Sequence, residues 1–177
     1  MSNSPKKILA ICGSTRTNSA NAQLIDAIAS LATGSLTITV YNSLTALPYF
    51  NQDIPDDQIS ETVNHFRNTI KEADGVLICT PEYVFSLPGI LKNAIEWTVS
   101  TTVFSDKPTA LITASSSGEK AHESLLLVMN TLGIKTNTDL CLHIPGVKSK
   151  LNAQGKVINT DLQQKLEKLV ECFKSMI

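Results

Sequence analysis

The 177-residue chain lacks the features that mark several large functional classes. Its 15 Lys and Arg against 16 Asp and Glu leave a formal charge of -1, so the basic footprint of a nucleic-acid binder is missing. Long apolar runs are missing too. Stretches such as Ile8 to Cys12 fall far short of the ~20 residues a bilayer span requires, and no apolar segment near Met1 has the form of a secretory signal. A cytoplasmic protein with no membrane and no nucleic-acid partner is expected. The cysteines Cys12, Cys79, Cys141 and Cys172 lie far apart with no C-x-x-C pair, which fits buried reduced thiols rather than a metal or iron–sulfur site. His65, His122 and His143 are equally scattered, and no metal is expected.

Two phosphate-binding signatures are also absent. Neither G-x-G-x-x-G nor G-x-x-x-x-G-K-[ST] occurs, which disfavours a dinucleotide Rossmann site and a magnesium-dependent nucleotide hydrolase. What is present is a regular alternation of apolar runs and one-sided helical patterns. Ile8–Cys12, Val76–Cys79 and Ala110–Ile112 are continuous apolar runs of the kind found in central parallel strands covered on both faces. Leu36–Tyr41 alternates apolar with polar, and Leu140–Leu142 follows a polar lead-in, so both read as strands nearer the edges. Between and after the strands, apolar residues recur at helical spacing: Leu24, Ile28, Leu31; Ile59, Val63, Phe66, Ile70; Ile90, Leu91, Ala94, Ile95; Leu125, Val128, Met129, Leu132; and Leu162, Leu166, Leu169, Phe173. Pro88 suits a first helical turn, Thr160 with Gln163 a capping box, and Gly34 and Gly133 helix stops. The expectation is one α/β domain over residues 1–177, a three-layer sandwich with right-handed crossovers.

Three hydroxyl-rich loops follow apolar runs: Gly13 to Asn21, Pro81 to Ser86, and Ser115 to Gly118. If the runs are neighbouring parallel strands, all three meet at the carboxyl edge of the sheet, where ligands of open α/β folds bind. The first loop offers Ser14, Thr15, Thr17, Ser19, Asn21 and Arg16 at a helix start, a donor set suited to one terminal phosphate. The same residues also make an ordinary helix cap. The second loop is aromatic and proline-rich, so it reads as a stiff wall that presents backbone N–H groups to a flat heterocycle while Tyr83 or Phe85 packs on an apolar face. Core packing or a subunit contact would use the same aromatics. Ser115 and Ser116 would close the other side, or simply form a turn. Asn42 to Asp57 reads as a lid or as a surface excursion, and Pro145 to Lys156 as turns or a small hairpin. His122, beside Lys120 and Glu123, reads as a helix-surface residue, and Glu82 as a cap for the next helix.

Gly13-Ser14-x-Arg16-x-x-Ser19-x-Asn21, with Pro81-Glu82-Tyr83-x-x-Ser86-x-Pro88-Gly89-x-Leu91-Lys92-Asn93-Ala94-Ile95-Glu96-Trp97, resembles the NAD(P)H-dependent FMN reductase family, whose relatives include quinone, azo-dye and chromate reductases. The likeness covers most of the chain. It implies a flavodoxin-like fold of strand order 2-1-3-4-5 with bound FMN. It also implies a phosphate end held by Ser14, Arg16, Ser19, Ala20 and Asn21, and a ring faced by Pro81, Glu82, Tyr83 and Val84 with Ser115 and Ser116 nearby. The family usually has Asn directly after the Tyr of this motif, whereas this chain has Val84. The implied activity is hydride transfer from NADPH or NADH to FMN, then reduction of a quinone, azo, flavin or similar small-molecule acceptor. No catalytic side chain is singled out, because the cofactor carries that chemistry. A flavodoxin-like electron carrier without efficient nicotinamide turnover is the alternative. The resemblance further implies a homodimer or homotetramer, with Trp97 either on its interface or packed internally.

Overall fold

The computed structural model describes residues 5–177; residues 1–4, the start of the expected domain and of the segment read for a signal, lie outside the described residues. Five parallel strands form one sheet in the order β2-β1-β3-β4-β5. They are β1 (Lys6–Cys12), β2 (Leu36–Val40), β3 (Gly75–Thr80), β4 (Thr109–Ser115) and β5 (Cys141–Pro145), and they alternate with α1 (Ala20–Leu31), α2 (Glu61–Glu72), α3 (Gly89–Glu96), α4 (Glu119–Thr131) and α5 (Thr160–Met176). This is the flavodoxin-like arrangement. Strand side chains point alternately to the two faces. Ile8 and Ala10 therefore pack with α1 and α5, while Leu9 and Ile11 pack with α2, α3 and α4. Every residue of β3 is buried, as its unbroken apolar run predicts, and β2 at the edge alternates. Among the described residues no helix is long and apolar enough to cross a membrane.

Several local expectations shift by a residue or change partner. Asn159, not Thr160, caps α5: its side chain accepts from Leu162 N at 2.8 Å, and Asn is at least as strong a cap as Thr. Pro88 sits at the cap position of α3 rather than in its first turn, and its carbonyl accepts from Leu91 and Lys92. Gly34 and Gly133 do follow α1 and α4 with positive φ. Residues 42–57 form a packed excursion that does not line the cleft described below. Leu44 and Leu47 are buried, Asn93 brackets the segment through Phe50 N and Pro48 O, and Trp97 Nε1 donates to Pro48 O at 2.7 Å. Trp97 is consequently internal, 2% exposed and edge-on to Phe50. All four cysteines are free, but only Cys79 is fully enclosed. Cys12 ends its strand where the sheet opens, and Cys141 lies on the edge strand β5. Residues 145–157 form a short 3-10 turn at Val147–Lys150 and a bridge between Leu151 and Val157, the small hairpin expected there.

Candidate functional site

The chain leaves β1 for β2 on one side and later reaches β3 on the other, so the carboxyl ends of β1 and β3 mark the point where strand order reverses. Gly13 makes the first turn possible. Its N–H donates to Cys79 O at 2.9 Å, and a Cβ there would overlap the Thr80 hydroxyl. The loop then enters α1 through Ser19, whose hydroxyl accepts from Ala22 N at 3.1 Å. The leading N–H groups of the helix remain without intrahelical partners, as at any helix start.

Asn21 is 3% exposed and its amide is fully engaged: Nδ2 donates to Ala114 O at 3.1 Å, and Oδ1 accepts from the Cys79 thiol at 3.3 Å. Burial, with Cys12 adding to it, pushes the Cys79 thiol well above its ordinary pKa, which keeps it a neutral donor. Asn21 thereby ties the start of α1 to the ends of β3 and β4. Its side chain thus orients a loop residue that also lines the cleft.

Pro81 to Ser86 forms the opposite wall. Tyr83 and Ser86 exchange backbone hydrogen bonds of 3.0 and 3.1 Å, closing a two-residue turn over Val84 and Phe85. Glu82 reaches across to α4, not to the helix that follows it in sequence. Its carboxylate accepts from Gly118 N at 3.3 Å and Ala121 N at 3.0 Å, satisfying the orphan donors of a helix whose own cap, Gly118 at φ 90°, offers no side chain. The third loop is anchored by Gly146 N donating to Ser116 O and by His143 Nε2 at 2.7 Å from Ser117 O. His122 is drawn inward beneath it, against the surface reading: its ring stacks on His143 at 5.5 Å, and Nδ1 lies 3.2 Å from Thr113 Oγ1. Burial, then the neighbouring His143, lowers its pKa.

These loops enclose a cleft of about 430 Å³, within the range of small-molecule and cofactor sites. Ser14, Arg16, Ser19, Ala20, Asn21, Pro81, Glu82, Tyr83, Ser115 and Ser116 all line it. Val84 does not, and its side chain is 95% exposed. Sequence reasoning missed a fourth wall, Gly146 to Ser149 after β5, together with Ala114. The signal was available in principle, since Gly146, Lys148 and Ser149 also follow a strand at the same sheet edge. Among the described residues no cluster of three metal-ligating side chains occurs.

Residues 6–147 match the family described as NADPH-dependent FMN reductase. The chain is 32% identical over 177 residues to a 2-hydroxy-1,4-benzoquinone reductase from Burkholderia sp, covering 97% of this chain and 96% of that one. It is 29% identical over 173 residues to an NAD(P)H-dependent FMN reductase from Pseudomonas aeruginosa, covering 95% and 93%. Among solved structures, the flavoenzyme NAD(P)H:(acceptor) oxidoreductase FerB from Paracoccus denitrificans superposes with a TM-score of 0.79 at 25% identity over 96% of both chains.

Proposed function

Since this chain belongs to the NADPH-dependent FMN reductase family, we propose that it is an FMN-dependent oxidoreductase. It carries reducing equivalents from NADPH or NADH to a quinone, azo, flavin or similar small-molecule acceptor. The observation that carries this reading is the two-ended character of the cleft. One end offers a helix start with Ser14, Arg16 and Ser19, and the other a slot between Pro81–Tyr83 and Ser115–Ser116. A phosphate monoester and a planar heterocycle fit these donor sets in one molecule, so FMN suits the residues present.

When bound, FMN supplies the hydride acceptance and two-electron donation that no protein side chain can perform. The chain's own residues bind and orient. The N-terminal N–H groups of α1, the Ser14 hydroxyl and the Arg16 guanidinium hold the phosphate, helped by the positive end of the helix dipole. Ser19 caps that helix and Asn21 fixes its position against β4. Pro81, Glu82 and Tyr83 form one wall, and Val84 stands outside the cleft on the turn that follows. Ser115 and Ser116 form the other wall, with Gly146 to Ser149 closing the outer side.

The protein acts in the cytoplasm as a homodimer or homotetramer. Val99, 61% exposed, lines a groove of about 770 Å³ with Ile54, Ile95, Val128 and Leu132, a partly apolar surface suited to a second subunit. Anaerobic stopped-flow mixing with NADPH and with NADH, followed by a quinone, an azo dye or free FMN, tests the activity. Rapid bleaching of protein-bound flavin by at least one nicotinamide is expected. Flavin that reduces only through a partner protein would make the chain an electron carrier and overturn the assignment.

A further inference from the structure

The turn over Val84 and Phe85 is closed by two backbone hydrogen bonds, and both central residues have positive φ, 52° and 55°. That is the backbone a two-residue hairpin turn of the primed type requires, and Asn, Asp and Gly adopt it readily. A β-branched valine and a bulky phenylalanine do not, because Cβ crowds the backbone in the left-handed region. Strain of this kind persists only where surrounding structure enforces it, and it clusters at functional sites. Here no internal packing repays the strain: the Val84 side chain is 95% exposed and Phe85 is 78% exposed.

The segment is nevertheless held rigidly at the rim of the cleft. Glu82 is fixed to α4, Leu87 and Pro88 are buried, and Tyr83, the residue before the tip, lines the cleft itself. A stiff apolar knob therefore stands beside the cleft, directly after the lining residue Tyr83.

We propose that Val84 and Phe85 are specificity-determining residues. They form an apolar rim that takes the hydrocarbon part of the electron acceptor and favours hydrophobic aromatic acceptors over charged ones of the same reactive head. The proposal rests on the flavin-site reading above.

The test uses the FMN-loaded protein with 1,4-naphthoquinone and a sulfonated naphthoquinone as the acceptor pair. Phe85→Gly should raise Tm by about 2–4 °C through relief of the left-handed strain. It should also lower the ratio of kcat/KM for the unsubstituted over the sulfonated acceptor by about five- to tenfold, as expected for losing a modest apolar contact. Val84→Asn should move both readouts in the same directions. Phe85→Leu, apolar but still strained, should hold the ratio within about twofold. A raised Tm with an unchanged ratio would overturn the proposal. So would a change in sedimentation of Phe85→Gly at unchanged ratio, which would make the tip a subunit contact. Wild-type protein that binds no FMN would instead overturn the site reading on which the proposal stands.

Discussion

Asn18 in the loop after β1, and Val84 and Phe85 in the loop after β3, share nearly the same left-handed φ, 56°, 52° and 55°. Asn tolerates that region at small cost, whereas valine and phenylalanine do not. The first loop is assembled from residues that suit their backbone and bond locally: Ser19 caps α1 and the Ser14 hydroxyl accepts from Arg16 N. The second is held from outside, by Glu82 on α4 and by buried Leu87 and Pro88, and its tip conflicts with its own sequence. A loop that must present a fixed array of N–H groups gains from local consistency. A loop that must present a side chain to incoming molecules can carry strain, provided its base is clamped.

The sharpest way to break this contrast is at the base of the first loop. Gly13→Ala drives a Cβ into the Thr80 hydroxyl and to 2.7 Å from Thr80 Cβ. It should cost about 3 kcal/mol in urea unfolding and abolish FMN retention on gel filtration. Next comes Asn21→Ala, which leaves Ala114 O and the Cys79 thiol unpartnered in the interior. A loss of about 1–3 kcal/mol in stability is expected, with weaker FMN binding by fluorescence titration as the loop loses its tie to β4. Unchanged FMN affinity would show that the loop holds its shape without the tie to β4. Glu82→Gln keeps the shape but removes the charge at the N-terminus of α4; about 1 kcal/mol should be lost in chemical denaturation, and hydrogen exchange should quicken at Gly118 and Ala121.

The smallest effect concerns the third loop. His122 has a lowered pKa in the folded protein, so below its ordinary value of about 6.5 the unfolded chain binds a proton that the folded one resists. Its contribution is therefore complete above that pH and is lost as pH falls toward the lowered value. His122→Gln should flatten the decline of Tm between pH 7 and pH 5, measured by calorimetry. An unaltered slope would remove His122 as its source.

Fold and site were legible to different depths. The strand order needed the family resemblance, and so did the placement of Ala20, Pro81 and Glu82 at the site, but the apolar runs of β1, β3 and β4 and the hydroxyl clusters behind them were sufficient to show that three loops meet at one sheet edge. What escaped was everything that depends on distant partners. The tie of Asn21 to β4 was not visible because its acceptor, Ala114 O, lies 93 residues away. Glu82 looked like a cap for α3 because its true donors are 36 and 39 residues on. Lys120 and Glu123 made His122 look solvated, although one turn of helix is enough to bring the ring between Thr113 and His143. Gly146 to Ser149 reads as turns or a small hairpin and not as part of the site, because the strand legible before it, Leu140–Leu142, stops short of the sheet edge that β5 reaches at Pro145.

The grip of Glu82 on α4 has a mechanical corollary. A carboxylate rooted in one bank of the cleft fastens the helix that springs from the far bank, so the two margins travel together as a single brace. A load placed on the outer surface of that helix, where Leu127 stands in solvent, would reach the segment that carries Val84 and Phe85 through the two hydrogen bonds of Glu82, 3.3 and 3.0 Å long.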